Sequence, residues 1–329
     1  MNCRFKMKTK LIGNRKKRLE ELMRKAQDDP AFKEEFEGKK EQQTTIQKED
    51  KISSLERVLR VDTNYKVNGV AFCDQVALAT ATDEKLLLFD IDYEQKKSDQ
   101  IYESLESKCV VANMPFNNRL AFGVARKEGK LRIFKLTYVK SQFKKQTLHF
   151  RVQNMTFLND IRSFAFSSAF MYPDGMYLAA GKENGLFALF EVKDIKNSYN
   201  VKINPILHDK FSSPVLDLSF SLQGYIAVVC GPSIKIKLID FANKTWTTAH
   251  EIDRGKIRCA SFSPDSRYLA TGDRDGYVKI FSFDSLEGLK EVVKKRCSPD
   301  YLNGIDFSLD GKYIAAGGID ENVYVYEVK

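Results

Sequence analysis

The stretch Phe262 to Phe283, FSPDSRYLATGDRDGYVKIFSF, returns 45 residues later as FSLDGKYIAAGGIDENVYVYEV, Phe307 to Val328, with eight of 22 positions identical. A chain that repeats itself at such a period folds as an array of similar units, each solving one packing problem. Further copies run from Tyr172 to Val192, Phe220 to Asp240, Asn117 to Leu136 and Asp74 to Ile91. Their last strands end at Phe89, Phe134, Phe190, Ile239, Phe281 and Tyr326, at intervals of 45, 56, 49, 42 and 45 residues.

Each unit reads as a series of short strands. An alternating or apolar run such as VLDLSFS or IRCASFS comes first, and a turn of Asp, Asn, Gly or Pro follows it. A small-residue strand such as YLATG comes next, then a second turn such as DRDG and a strand such as YVKIFSF. Gly and Asn accept positive φ in such turns, and Asp bonds the backbone two residues on. Strands of Ala, Thr and Gly are too small for an ordinary sandwich core and suit sheets that converge on an axis. Each period leaves room for a fourth strand, KTWTTA (Lys244 to Ala249) being one. Four antiparallel strands every ~40–45 residues are the signature of propeller blades, and a blade needs stacked neighbours to bury both faces. The expectation is therefore an all-β fold over residues 51–329, a β-propeller of about six four-stranded blades. Only Glu327, Val328 and Lys329 follow Tyr326, so the last unit has no outer strand of its own. Ser54 to Val61, SLERVLRV, is expected to supply it and close the ring; an open ring completed by a partner's blade is the alternative.

The phrase FSPDSRYLATGDRDGYVKIFSF resembles the repeat of the WD-repeat family, and the resemblance extends over roughly residues 51–329. It implies a propeller that works as a protein-interaction scaffold, a subunit of a larger eukaryotic complex. No unit ends in Trp-Asp; Phe89-Asp90 and Ile239-Asp240 come nearest, and the one tryptophan, Trp246, falls in an outer strand. The family's blades carry a hydrogen-bonded tetrad of His, Ser or Thr, Asp and Trp. His250, Thr271 and Asp275 match the first three in one blade, but Phe281 stands in the Trp place with no N–H to donate. The ring is thus expected to rely on apolar packing.

The net charge of +9 is unevenly placed. Residues 1–25 hold ten Lys or Arg and a net of +8, while residues 26–50 sum to −4. Residues 1–50 therefore read as a basic, partly helical N-terminal arm and linker. Leu19, Leu22, Met23 and Ala26 lie on one face of a helix over 14–26. Asp29, Pro30 and Gly38 bracket a second short helix. The basic run Arg15, Lys16, Lys17 and Arg18 suits phosphate, a nuclear address or a passive tail. No apolar run approaches the ~18 residues of a membrane helix, and no apolar stretch follows the basic start as in a secretory signal. Six scattered cysteines show no disulfide or zinc spacing. An intracellular, cytoplasmic or nuclear, location is expected.

The chain shows no phosphate loop, paired-His metal motif or nucleophile elbow, and His149, His208 and His250 are far apart. The expectation is no enzyme, no cofactor and no metal. Three functional readings follow: an interaction scaffold, an RNA- or ribosome-associated propeller gripping phosphate with its arm, or a regulatory or exchange factor for a small GTPase. Such rings bind partners where the loops entering first strands meet the turns between second and third strands. That face would gather Tyr65, Phe157, Phe211 and Tyr301 from the loops and Lys182, Arg274 and Glu321 from the turns. Aromatics and Arg dominate interface energetics, although half of these aromatics would serve only to pack beneath their own loops.

Overall fold

The computed structural model describes residues 51–72, 77–105, 110–113, 120–125, 131–139, 142–148, 161–167, 176–193, 202–231, 233–240, 244–253, 256–284 and 287–329. The chain divides into two compact units, Met1–Lys51 and Ile52–Lys329. The two helices expected in the arm and the basic run Arg15 to Arg18 lie outside the described residues, which contain no helix.

The chain opens with β1 (Leu55–Asp62). Blade one is β2 (Val67–Phe72), β3 (Ala77–Thr82), β4 (Lys85–Asp92) and β5 (Lys97–Leu105). Blade two is β6 (Val110–Asn113), β7 (Leu120–Ala125), β8 (Leu131–Val139) and β9 (Gln142–Leu148). Blade three is β10 (Ile161–Phe166), β11 (Met176–Lys182), β12 (Leu186–Lys193) and β13 (Lys202–Lys210). Blade four is β14 (Val215–Phe220), β15 (Tyr225–Cys230), β16 (Ser233–Asp240) and β17 (Thr245–Asp253). Blade five is β18 (Ile257–Phe262), β19 (Tyr268–Asp273), β20 (Tyr277–Asp284) and β21 (Gly288–Arg296). The last blade is β22 (Leu302–Phe307), β23 (Tyr313–Gly318) and β24 (Asn322–Val328), with β1 as its outer strand. The sheets number six, each four-stranded and antiparallel; five have described side-chain burial, and β6–β9 is described by its backbone pairing.

β1 pairs antiparallel with β24 from Leu55 opposite Val328 to Asp62 opposite Asn322, with a register shift between Arg57 and Leu59. Leu55 and Val61 are buried. Arg60 Nε donates to Asn322 Oδ1 at 2.7 Å, and Lys295 Nζ to the Leu55 carbonyl at 2.7 Å. The expected strand thus completes the last blade from the chain's own residues. The alternative, an open ring completed by a partner's blade, is overturned by the packing of the last blade on the first, where Val67 and Phe72 share one apolar cluster with Ala315 and Val323.

The serine of each Phe-Ser pair explains why that dipeptide recurs. Ser263 Oγ accepts the Tyr268 N–H at 3.0 Å and donates to Asp265 Oδ1 at 2.6 Å. Ser308 does the same with Tyr313 N–H at 2.9 Å and Asp310 at 2.7 Å. Ser167 and Ser221 accept from Tyr177 N–H and Tyr225 N–H. All four are buried, so each hydroxyl satisfies a strand N–H that would otherwise lie unpaired in the core. Ser263→Ala or Ser308→Ala is expected to lower stability by about 1–3 kcal/mol. Chemical denaturation should show a lower midpoint at an unchanged slope; an unmoved midpoint would remove this account of the serine.

The small-residue strands lie where sheets crowd together. Ala79, Ala179, Ala227, Ala270 and Ala315 are fully buried. A Cβ placed on Gly304 would sit 2.6 Å from Gly69 Cα in the neighbouring inner strand, so no side chain fits at that seam. Apolar clusters fill the spaces between blades; one joins Val61, Val67, Phe72 and Leu87 to Ala315, Val323 and Val325 across the closure.

The tetrad does not assemble. The Thr271 hydroxyl is buried without a hydrogen-bond partner among the described residues. Asp275 instead takes Lys256 Nζ at 2.6 Å. His250 lies in β17 of the preceding blade, its ring 6.0 Å from that of Phe283. Phe281 is fully buried, an apolar replacement for the indole.

Candidate functional site

The inner strands run edge-on along the middle of the ring, and an edge strand has N–H groups with no ladder partner. Side chains from the preceding blade fill that need. Asp217 Oδ2 accepts the Ala260 N–H at 2.9 Å, and Ser219 Oγ accepts the Phe262 N–H at 2.9 Å. Asp306 Oδ2 accepts the Phe72 N–H at 2.9 Å while Oδ1 accepts the Ser261 hydroxyl at 2.9 Å. Burial pushes both carboxyls up to about 7 against the backbone N–H bonds that favour their charge.

One end of the inner strands is built from two interlocked sets of loops. In four blades the turn after the second strand donates to the segment entering the same blade: Asp83 N–H to Lys66 O, Gly231 N–H to Pro214 O, Arg274 N–H to Lys256 O and Ile319 N–H to Tyr301 O, at 2.9–3.1 Å. The loop into the next blade then docks on that turn, as Phe211 N–H does on Gly185 O and Cys297 N–H on Gly276 O. Gly276 has φ of +77°, and a Cβ there would lie 2.0 Å from Ser298 O. The face is therefore held by backbone bonds, and its side chains project from a rigid support.

In five inner strands the register slips between the first and third residues, at Val67/Gly69, Ile161/Ser163, Val215/Asp217, Ile257/Cys259 and Leu302/Gly304. Such a bulge re-aims the residue it frees. The freed residues are Asn68, Arg162, Leu216, Arg258 and Asn303. Arg258 Nε donates to Asn303 Oδ1 at 2.9 Å, and Asn303 Nδ2 to the Val67 carbonyl at 3.0 Å, so they link blade to blade. Asn68 Nδ2 donates to Asp83 Oδ1 at 3.0 Å, and Arg162 Nε lies 3.6 Å from Glu183. The Arg258 guanidinium lies 5.7 Å from the centre of the Tyr301 ring. Burial lowers the Arg258 pKa, and the charges of Arg162 and Arg274 lower it further.

Of the residues expected on this face, Tyr301 is exposed at 40%, and Arg274 is exposed in the turn after β19. Tyr65 is half-buried with Lys85 Nζ 5.0 Å above its ring. Lys182 is half-buried at the end of β11. Phe211 is a correction: it is buried, edge-on to Phe187 at 6.4 Å, and packs beneath its loop. Glu321 is exposed at φ +64°, and its carbonyl accepts the Thr63 N–H, so its backbone serves the ring closure. Phe157 lies outside the described residues. Sequence reasoning missed Arg162, Arg258 and Asn303. The signal was their shared place as second residue of an inner strand, which alternation alone assigns to the wrong side because the bulge shifts the period.

Among the described residues, no three of His, Cys, Asp and Glu gather as a metal site, and no helix is long and apolar enough to cross a membrane. His208 is exposed and His250 half-buried, while His149 lies outside the described residues.

Comparison with known proteins extends this picture. The family model described as "WD domain, G-beta repeat" matches residues 243–282 and 291–327. Actin-interacting protein 1 of Drosophila melanogaster is 25% identical over 170 residues, 50% of this chain and 26% of that protein. Pre-mRNA-processing factor 19 of Dictyostelium discoideum is 27% identical over 40% of this chain and 25% of its own length. U3 small nucleolar RNA-associated protein 18 homolog of Caenorhabditis elegans is 26% identical over 32% of this chain and 26% of its own. The matched segments thus span about a quarter of these relatives. A chain in the crystal structure of the mitotic checkpoint complex superposes with a TM-score of 0.57 at 14% identity, covering 86% of this chain and 94% of that one, a likeness of fold.

Proposed function

We propose that this chain, a member of the WD-repeat β-propeller family, is a non-enzymatic interaction scaffold, an intracellular subunit of a larger complex that receives a protein partner on the interlocked loop face. The observation that carries the reading is the stacking of Arg258 on exposed Tyr301, on a loop face that also carries exposed Arg274 and is fixed by backbone hydrogen bonds. Aromatic and Arg side chains on a pre-organised support bind with little ordering cost. Relatives named as processing and nucleolar-RNA-associated factors support a place in a multi-component assembly. These names also keep the RNA-associated reading as a second one, in which Arg15, Lys16, Lys17 and Arg18 contact phosphate.

The test is affinity purification of intact chain and of the Arg274→Ala, Tyr301→Ala double variant, at low and high salt. The double variant should keep its melting temperature and lose a defined set of partners, with ~2 kcal/mol or more of affinity lost if these are hot spots. An unchanged set would move the interface off this face. A set lost steeply with salt and unaffected by the double variant would favour the basic arm.

A further inference from the structure

We propose that Asn184 is a site of spontaneous modification: its side-chain amide is lost to water through a cyclic imide closed by the Gly185 nitrogen, leaving aspartate or isoaspartate in the blade-three turn that seats the Phe211 loop. The chemistry stands apart from the scaffold reading; only its effect on a partner rests on that reading.

Asparagine is chemically labile, most of all before glycine, whose missing Cβ lets its nitrogen approach the side chain. Asn-Gly occurs three times in the chain, at Asn68, Asn184 and Asn303. The fold treats the three differently. Asn68 and Asn303 are half-buried in inner strands, and their glycines are ladder members, Gly69 opposite Ala81 and Gly304 opposite Gly317. Their leaving groups are tied as well: Asn68 Nδ2 donates to Asp83 Oδ1 and Asn303 Nδ2 to the Val67 carbonyl, each at 3.0 Å. A Cβ on Gly304 would lie 2.6 Å from Gly69 Cα, so the two backbones leave each other no room to turn.

Asn184 is exposed, in the turn between β11 and β12. Its Nδ2 has no acceptor among the described residues, whereas its Oδ1 accepts the Leu186 N–H at 3.1 Å. That donor sits on the oxygen that gains negative charge when a nucleophile adds to Cγ, as in an oxyanion hole. The Gly185 N–H is held by one turn bond, to Lys182 O at 3.0 Å, and a surface turn opens at lower free energy than a core ladder.

The reaction needs only water. The Gly185 nitrogen adds to Cγ, the Cγ–Nδ2 bond breaks, and ammonia departs with the Gly185 amide proton. Water then opens the imide. Cleavage of the new Cγ–N bond leaves aspartate. Cleavage of the original peptide bond leaves isoaspartate, whose chain runs through Cβ and Cγ and is one atom longer. Gly185 has φ of +82°, and its carbonyl accepts the Phe211 N–H at 2.9 Å. An extra backbone atom beside Gly185 displaces that seat, and the new carboxylate joins exposed Glu183 on the same turn. The blade-three part of the loop face therefore changes as the chain ages.

The experiment incubates the full chain in mildly alkaline buffer and maps its peptides by mass spectrometry over weeks. In the folded chain Asn184 should lose its amide at least tenfold faster than Asn68 or Asn303. In concentrated urea the three rates should converge to within severalfold, because only the fold separates them. Hydrogen exchange of the Phe211 N–H should quicken severalfold in the aged chain. It should not quicken in aged Asn184→Gln, which resists the reaction, or in fresh Asn184→Asp, which carries the charge without the longer backbone. Asn68 or Asn303 reacting as fast as Asn184 in the folded chain overturns the proposal, as does an Asn184 that stays intact when folded while the urea sample reacts. Unchanged Phe211 exchange in a chain with measured isoaspartate would refute the effect on the loop. The mapping uses no partner, so a failure of the scaffold reading and a failure of this chemistry are told apart.

Discussion

A chain starting at Thr63 is expected to lose the cooperative melting of the intact protein, while a chain starting at Lys51 keeps it. The difference is β1. Its removal strips the outer edge of β24, where seven residue pairs now align. It also removes Leu55 and Val61 from the core, each contributing roughly 1.5–3 kcal/mol by burial. The loss reaches further, because Val323, Val325 and Tyr326 are covered on one side by that strand and on the other by neighbouring blades. Arg60 and Leu55 also bond across the closure, to Asn322 and Lys295, and both bonds go with the strand. A ring divides its stability among seams, and one opened seam exposes apolar surface on both sides. Total stabilities of domains run ~5–15 kcal/mol, so a loss of this size approaches the whole. Differential scanning calorimetry of the two truncations decides it. Equal melting temperatures would mean that the ring does not depend on β1.

The repeat made the blades legible because packing repeats with it. Phe-Ser before the first turn of four blades, small residues in the second strands and an aromatic or branched residue near the end of each third strand recur with the fold, and in those four blades the serine hydroxyl takes the same strand N–H. The closing strand was legible from its place, Ser54 to Val61 lying directly before the first repeat, and it pairs with β24. The site was less so. Tyr301 and Arg274 could be placed by their loops, but Phe211, in an equivalent loop, turns inward because Phe187 and Trp246 leave an apolar hollow beneath it. That hollow is made by residues 24 positions before and 35 after, which no local pattern reports. Arg162 and Arg258 were hidden by the bulge at the second position of the inner strands. Asp217 and Asp306 read as ordinary polar members of alternating strands; their role depends on the N–H groups of another blade, 43 positions away for Asp217 and 234 for Asp306.

Those two aspartates predict how the ring responds to pH. Burial raises each carboxyl from its usual range to about 7 in the folded chain, while in the unfolded chain an Asp titrates near ~3.9. Between these values the folded state holds a proton that the unfolded state has released. Stability therefore falls as pH rises from about 4 to about 7, and the loss is complete above the folded value. A shift of ~3 units at ~1.4 kcal/mol each bounds the effect at roughly 4 kcal/mol per site. Both residues keep part of their surface accessible, so about 2 kcal/mol per site between pH 5 and 8 is the expected size. Asp306→Asn isolates one site. Its amide oxygen can accept the Phe72 N–H, its NH2 can donate to the Ser261 hydroxyl, and it does not titrate. The variant should match or exceed the wild type at pH 8 and show a shallower decline from pH 5, with the difference set by that one proton. Urea denaturation of both proteins at several pH values measures the slopes. Parallel slopes would mean that the Asp306 carboxyl is already ionised at pH 5, and that the seam between the last blade and the first is held by a carboxylate.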